Sequence, residues 1–255
     1  KFSSSLIIDG GGTGVRAIVI PEDGINIMVQ SEGSDDPTKN GFGGAINFRY
    51  NELDSDPTAE EIFDKLALRF VEKGLQDEFR YDTGDGEKTL VDILKDDPIR
   101  RVFTSTAGVI EVVDGKPQIK GADNLPKSLQ KTFILDIIRK SFIKAFETHN
   151  FENLIDSEKF NKKGWSFNDA LSGVMALAAK LIEDGQKLKN IRALYADIGS
   201  GVATGGIDEG ELYTSETQNI RIFPDGSSFE DSVSLRGIAT NAIKKLKRLP
   251  QETRV

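Results

Sequence analysis

Two apolar runs, residues 4–9 and 15–20, stand either side of a turn made of Gly10, Gly11, Gly12, Thr13 and Gly14. Their length and apolar character predict two strands joined by that turn. Asp23-Gly24 is a turn signal and 25–31 reads as a third strand, so the chain opens as an antiparallel meander. Residues 33–57 are polar, carry Gly33, Pro37, Gly41, Gly43, Gly44 and Pro57, and read as a loop. Thr58 followed by Glu61 forms a capping box, behind which Ile62, Phe63, Leu66 and Phe70 fall on one helical face. Residues 76–88 read as an irregular insert. Residues 100–105 predict a short strand ending at "TSTAG", and "VIEVVDGKPQIK" predicts a hairpin around Asp114-Gly115.

Residues 126–148 predict a long amphipathic helix with Leu129, Phe133, Ile137, Ile138, Phe142 and Phe146 inward. Residues 150–166 are polar and show no period. A further helix starts at about 169, with Leu171, Val174, Met175, Ala178, Leu181 and Ile182 spaced as a buried stripe. "RALYADI" at 192–198 is a strand that runs into "GSGVATGG" and the strand and turn of "IDEGELY". A last helix covers 231–249, with Val233, Ile238, Ala242, Ile243 and Leu246 inward. Each half therefore carries a strand ending in aspartate, then glycines with a hydroxyl residue: Asp9-Gly-Gly-Gly-Thr13 and Asp197-Ile-Gly-Ser-Gly201. This long-period repeat predicts two similar lobes.

Composition narrows the chemistry. The 255 residues suffice for one large domain or two lobes of about 125 residues. Cysteine is absent, which rules out disulfides and thiolate metal sites and fits a reducing compartment, so a cytoplasmic location is expected. His149 is the one histidine, which disfavours a histidine triad or a multi-histidine metal site. A net charge of −8 argues against a nucleic-acid partner. The basic run Lys244, Lys245, Lys247 and Arg248 sits where it complements the dipole of the expected last helix. No apolar run approaches the ~18 residues of a membrane span, and no secretory signal is visible, so no membrane partner is expected. The first residue is Lys1, so a leader or start residue is expected to have preceded it.

Backbone N–H groups in a glycine turn cradle anions, and a hydroxyl adds a donor. A strand-end carboxylate repels phosphate but holds Mg²⁺, usually through water, and the metal bridges to phosphate oxygens. Each turn alone is equally readable as a hairpin with a bare tip. The pair, one in each half, favours phosphate. The glycines lead into a strand and carry no following lysine, so neither the P-loop nor the dinucleotide fingerprint applies.

With these motifs the sequence resembles the sugar-kinase, actin and heat-shock-chaperone superfamily, and within it the ROK family of bacterial sugar kinases and repressors. "IDGGGTGVRAIVI" is similar to the family's first phosphate loop, and "STAGVIEVVDGKPQIKGADNLP" to its S-T-A-G stretch. "NDALSG" resembles its N-D-A-N motif, and "ADIGSGVATGGIDEGELY" its second phosphate loop. "SETQNIRIFPDG" and "FEDSVSLRGIA" resemble its sugar-contacting glutamate segments. A neighbouring family, the BadF and N-acetylglucosamine-kinase type, also uses a "DGGGT" turn, but the tail fits ROK better. The resemblance implies an α/β, two-lobed ribonuclease-H-like (actin-like ATPase) fold, with mixed sheets flanked by helices and a cleft between lobes. The lobes would be 1–122 and 123–255. It implies a kinase that moves the terminal phosphate of ATP to a hexose or amino-hexose, with Mg²⁺, and relatives that are often dimers make a homodimer the expectation.

The departures are specific. Asn219 stands at the family's histidine, and without cysteines there is no zinc segment. "KKGWSF" makes a poor strand before Asn168. Family members continue roughly 50–70 residues further, so either a segment is missing after Val255 or the nucleotide pocket is incomplete. The resemblance implies Asp169 as catalytic base, Asp9 orienting Mg²⁺, and Gly10, Gly11, Gly12 and Thr13 at the transferring phosphate. Gly199, Ser200 and Gly201 would hold the inner phosphates, and Asn124, Asn168, Asp169, Glu216 and Glu230 the sugar. Read without the resemblance, Asn168 or Asp169 is a helix cap, Asn124 a turn residue and the two glutamates solvated charges. Trp165 is open to a sugar face or to the core. The rival functions are a non-catalytic sugar sensor, a polyphosphate-dependent glucokinase, and a phosphatase of phosphate chains. A repressor would carry a helix-turn-helix before the first loop, which starts here at residue 9.

Overall fold

The first strands form as the apolar pattern dictates. In the computed structural model, which describes residues 4–21, 46–53, 56–75, 80–82, 86–121, 125–198 and 202–215, β1 (Ser5–Gly10) and β2 (Gly14–Ile20) pair antiparallel. Leu6 and Ile8 meet Val15, Ala17 and Val19 on the buried face. The third strand of the meander is β3 (Ile46–Arg49), paired to β2 inside the segment read as loop. Residues 25–31 and 231–249 lie outside the described residues.

The α1 helix (Ala59–Arg69) starts at Thr58, whose side chain and that of Glu61 cap each other's backbone N–H as expected. It buries Ile62, Phe63 and Leu66, each worth about 2 kcal/mol, and ends in a π turn, Phe70–Gly74. The expected insert holds a small hairpin, β4 (Arg80–Asp82) and β5 (Glu87–Thr89). After it, α2 (Leu90–Asp96) carries a second capping box, Thr89 with Asp92, that sequence reading passed over. Strand β6 (Arg101–Thr106) runs parallel to β1, and β7 (Val109–Val113) with β8 (Lys116–Gly121) forms the expected hairpin. Its Asp114 and Gly115 both have positive φ.

The helix predicted from 126 begins eight residues later, as α3 (Ile134–Thr148). Lys131 and Thr132 are tied to Ile119 by backbone hydrogen bonds, and Lys131 has a positive φ of 55°, so the chain is held against β8 in a non-helical path. Phe142 and Phe146 of α3 pack on Phe70, with ring centroids 5.7 and 6.3 Å away. Residues 150–166 are ordered by their partners rather than by their own period. Leu154 and Asp156 bond the backbone of Ile99, and α4 (Ser157–Lys162) buries Phe160. Strand β9 (Gly164–Asn168) then joins β6. The Val102 N–H donates to Lys163 at 3.3 Å, and the Thr104 hydroxyl donates to Ser166 at 2.8 Å. These contacts advance together, so β9 runs parallel to β6, and the sheet order is β3-β2-β1-β6-β9.

Contacts divide the chain into Lys1–Phe167 and Asn168–Val255. The division falls after residue 167 rather than after 122 because α3, α4 and β9 all pack into the first core. In the second unit, α5 (Asp169–Glu183) lies on an antiparallel sheet of β10 (Arg192–Ile198), β11 (Val202–Asp208) and β12 (Glu211–Ser215). Gly173 sits against the Tyr195 ring and Gly205 against Val174, which turns Val174 and Ala178 inward. Of the expected stripe, Met175 and Ile182 are therefore exposed, at 41% and 53%. No helix of the described residues is long and apolar enough to cross a membrane.

Candidate functional site

The parallel strands β1, β6 and β9 end on one edge of their sheet, at Gly10, Thr106 and Asn168. In open α/β sheets that edge is where ligands bind. The first turn extends from it. Residues 11–13 connect β1 to β2, and the turn is closed by the Gly11 N–H donating to the Gly14 carbonyl at 3.0 Å. Tyr50 donates its backbone N–H to Thr13 at 3.2 Å. Asp9, Gly10, Gly11, Gly12 and Thr13 are thus together, as the sequence indicated.

Two of the glycines serve the fold itself. A Cβ on Gly14 would lie 2.3 Å from the Phe48 carbonyl oxygen, and one on Gly10 3.1 Å from the Thr106 methyl. Gly11 is different: its nearest neighbour would be the Gly14 carbonyl at 4.0 Å, so open space surrounds it. Among the described residues, the N–H groups of Gly12 and Thr13 have no acceptor, and Thr13 is exposed. One short turn therefore holds two backbone donors and the hydroxyl of an exposed threonine, the donor set of an anion cradle.

Asp9 sits behind the turn. Its cross-strand partner is Arg16, whose Nε lies 3.6 Å from the carboxylate, with both side chains 48% exposed. Tyr50 places a hydroxyl out of solvent with no hydrogen-bond partner. Burial, and then the negative charge of Asp9, push its ionisation above the ordinary tyrosine value, so it stays neutral. Arg69 holds this region through bonds to Asn47 and Glu52 while lying over the Phe48 ring, 5.1 Å from its centroid. That bond to Arg69 keeps the Glu52 carboxyl below its usual range. Thr106 is buried on the other side, its hydroxyl also without a partner. Sequence reading missed Arg16, Tyr50 and Thr106. Hairpin register alone would have found Arg16, because a loop at 11–13 sets it opposite Asp9.

No group of three or more acidic or histidine side chains able to hold a metal exists among the described residues. Mg²⁺ at Asp9 would take its other ligands from water and phosphate, a donor set that suits this ion. Asn168 and Asp169 divide their labour. The Asn168 side chain accepts from the Leu171 N–H at 3.2 Å and caps α5, while Asp169 is the helix's first residue and accepts from Ala170 at 2.8 Å. Asn168→Ala is expected to cost at least about 1 kcal/mol in urea unfolding, the usual contribution of an N-cap.

The second glycine turn, Gly199, Ser200 and Gly201, lies outside the described residues, as do Asn124, Glu216 and Glu230. The strands that flank it repeat the first hairpin. Ile198 pairs with Val202 around three connecting residues, and Asp197 stands two before the loop, as Asp9 does. β12 then extends β11 as β3 extends β2. Trp165 lies on β9, 37% exposed. His149 closes α3, its Nδ1 at 2.9 Å from the Ala145 carbonyl.

No protein-family model matches the chain, and no curated protein matches it in sequence. Solved structures do. The inorganic polyphosphate/ATP-glucomannokinase of Arthrobacter sp. strain KM superposes with a TM-score of 0.54 at 17% identity, over 94% of this chain and 72% of that one. A ROK family glucokinase from Streptomyces griseus, solved with glucose and AMPPNP, gives 0.53 at 17% identity, over 99% of this chain and 64% of that one. At such identities the likeness establishes the fold, the mixed α/β actin-like ATPase fold of ROK sugar kinases.

Proposed function

We propose that this chain is a sugar kinase that transfers the terminal phosphate of ATP to a hydroxyl of a hexose or amino-hexose. The observation that carries the reading is the first turn: N–H groups at Gly12 and Thr13 with no acceptor among the described residues, the exposed Thr13, and Asp9 near the end of β1. Donors and a carboxylate in that order suit a metal-bound phosphate, and the β10–β11 strand pair repeats the register and connection length of the first hairpin. Two neighbours of the same fold are named as kinases of glucose or of glucose and mannose, which supports a sugar as acceptor.

In this reading Asp169 accepts the proton of the attacking sugar hydroxyl, since an alcohol at neutral pH is a poor nucleophile. The Asn168 cap fixes the first turn of α5 and with it the Asp169 backbone. The Gly12 and Thr13 N–H groups and the Thr13 hydroxyl bind the transferring phosphate, and Gly11, with open space around it, lets the backbone approach it, Gly10 standing at the start of the turn. Residues Gly199, Ser200 and Gly201 hold the inner phosphates. Asn124, Asn168, Glu216 and Glu230 bind sugar hydroxyls. Asp9 would hold Mg²⁺ through water, and the ion would supply charge neutralisation at the phosphates. Polyphosphate is the second donor to consider, because one neighbour is named for using it.

The test is product formation. The protein with Mg²⁺ is incubated with a panel of hexoses and amino-hexoses, once with ATP and once with polyphosphate, and sugar phosphate is read by mass spectrometry. A product from one donor and one sugar is the expected result and names both. No product from any pair, with sugar binding retained in calorimetry, replaces the kinase by a sugar sensor.

A further inference from the structure

We propose that Arg69 is a positioning residue for the first turn: from the end of α1 it clamps residues 47–52, whose Tyr50 N–H holds the Thr13 carbonyl. The consequence for binding rests on the phosphate reading of that turn. Three successive glycines allow the turn many backbone conformations, so the direction of the Gly12 and Thr13 N–H groups has to be set by anchors. One anchor is internal, the Gly11 N–H donating to the Gly14 carbonyl at 3.0 Å. Another comes from the neighbouring segment, the Tyr50 N–H donating to the Thr13 carbonyl at 3.2 Å.

That segment needs support of its own. β3 is four residues long and forms the edge of its sheet, paired only to β2. Arg69 holds it from α1. Its Nη1 donates to the Asn47 carbonyl at 2.9 Å and to Glu52 Oε1 at 3.2 Å, and its Nη2 donates to Glu52 Oε2 at 2.5 Å. The guanidinium also lies over the Phe48 ring, and Glu52 Oε1 accepts the Arg49 N–H at 2.8 Å. One side chain therefore bonds both ends of 47–52 and rests on the residue between, with Tyr50 inside the clamp. A single exposed ion pair would contribute little. A two-pronged fork with a further bond to a carbonyl is specific in geometry, and a lysine cannot reproduce it. The base of the clamp is fixed, because Leu66, Ala67 and Phe70 around Arg69 are fully buried.

Two measurements test the positioning. Amide exchange at Tyr50, followed by NMR, reads its bond to Thr13, and calorimetry with Mg²⁺ and tripolyphosphate reads the turn. In Arg69→Gln, exchange is expected to be about tenfold faster and tripolyphosphate to bind about five- to tenfold more weakly. Glu52→Gln is expected to act in the same direction, and the double variant to lose no more affinity than Arg69→Gln, since both remove one clamp. Arg69→Lys is expected to fall between, and carries the test should Arg69→Gln fail to fold. Ile62→Val destabilises α1 without touching the clamp and is expected to keep the wild-type affinity. Unchanged affinity in Arg69→Gln overturns the proposal, whether or not exchange at Tyr50 quickens. An equal loss in Ile62→Val also overturns it, because Arg69 would then act only through the stability of α1. Either result leaves the turn a phosphate site. Wild-type protein that binds no tripolyphosphate overturns the phosphate reading instead, and the positioning role with it.

Discussion

Asp169→Asn is expected to lower kcat for sugar phosphorylation by about 100- to 10,000-fold, the usual contribution of a positioned general base. The fold should scarcely notice. Helix α5 is capped by Asn168, whose side chain accepts the Leu171 N–H, so the substitution leaves the cap in place. The contact from the Ala170 N–H falls on Oδ1, an oxygen that asparagine keeps. The substitution also removes a negative charge from the first turn, worth about 0.3–1 kcal/mol against the helix dipole. The expected signature is therefore a collapse of kcat with KM values for sugar and donor within a few-fold and an unfolding midpoint close to that of the parent. Retention of more than about a tenth of the parent kcat would remove Asp169 from the role of base. A parallel collapse of stability would mean that its carboxylate is structural.

Gly164→Ala is expected to cost about 3–5 kcal/mol, the largest single-residue effect on stability in the first unit. Gly164 has a φ of +141°, a conformation that side-chain-bearing residues rarely adopt, and an added Cβ would sit 1.8 Å from the Val102 carbonyl oxygen. That oxygen belongs to β6, which lies between β1 and β9 and cannot retreat. β9 must lift instead, at the expense of the Val102–Lys163 bond, the Thr104–Ser166 pair and the stacking of Phe103 on Phe167, whose centroids are 6.3 Å apart. Gly115→Ala is the control. Its φ of +76° is also positive, but nothing lies within 4 Å of the added methyl, so it carries only backbone strain of about 1 kcal/mol. Urea denaturation separates the two. A Gly164→Ala midpoint equal to that of Gly115→Ala would show that β9 does not press on β6 as described. Because β9 ends at Asn168, the same variant should also lose phosphorylation activity.

Some of this was legible residue by residue. The β1–β2 hairpin, the Thr58–Glu61 cap, the turn at Asp114-Gly115 and the start of α5 at Asn168-Asp169 each depend on neighbours within a few positions. Periodicity, capping spacing and turn chemistry are local, so the sequence by itself determined them. It also indicated the paired aspartate–glycine turns, whose flanking strands match in register and connection length.

Tertiary structure decided what depends on the residue across the gap. The alternation of β3 covers only four residues, Ile46 to Arg49, inside a polar stretch, and Gly14 lets it pair closely with β2. β9 turns Ser166 and Asn168 inward, which reads as the wrong face until Thr104 supplies a hydroxyl and α5 an N–H. The late start of α3 comes from the bridge between Thr132 and Ile119. Arg16 acquires a meaning only opposite Asp9, and the lone hydroxyl of Tyr50 only behind the turn. A strand's partner and a buried polar group's satisfaction are properties of pairs distant in the chain, so no local window of the sequence contains them.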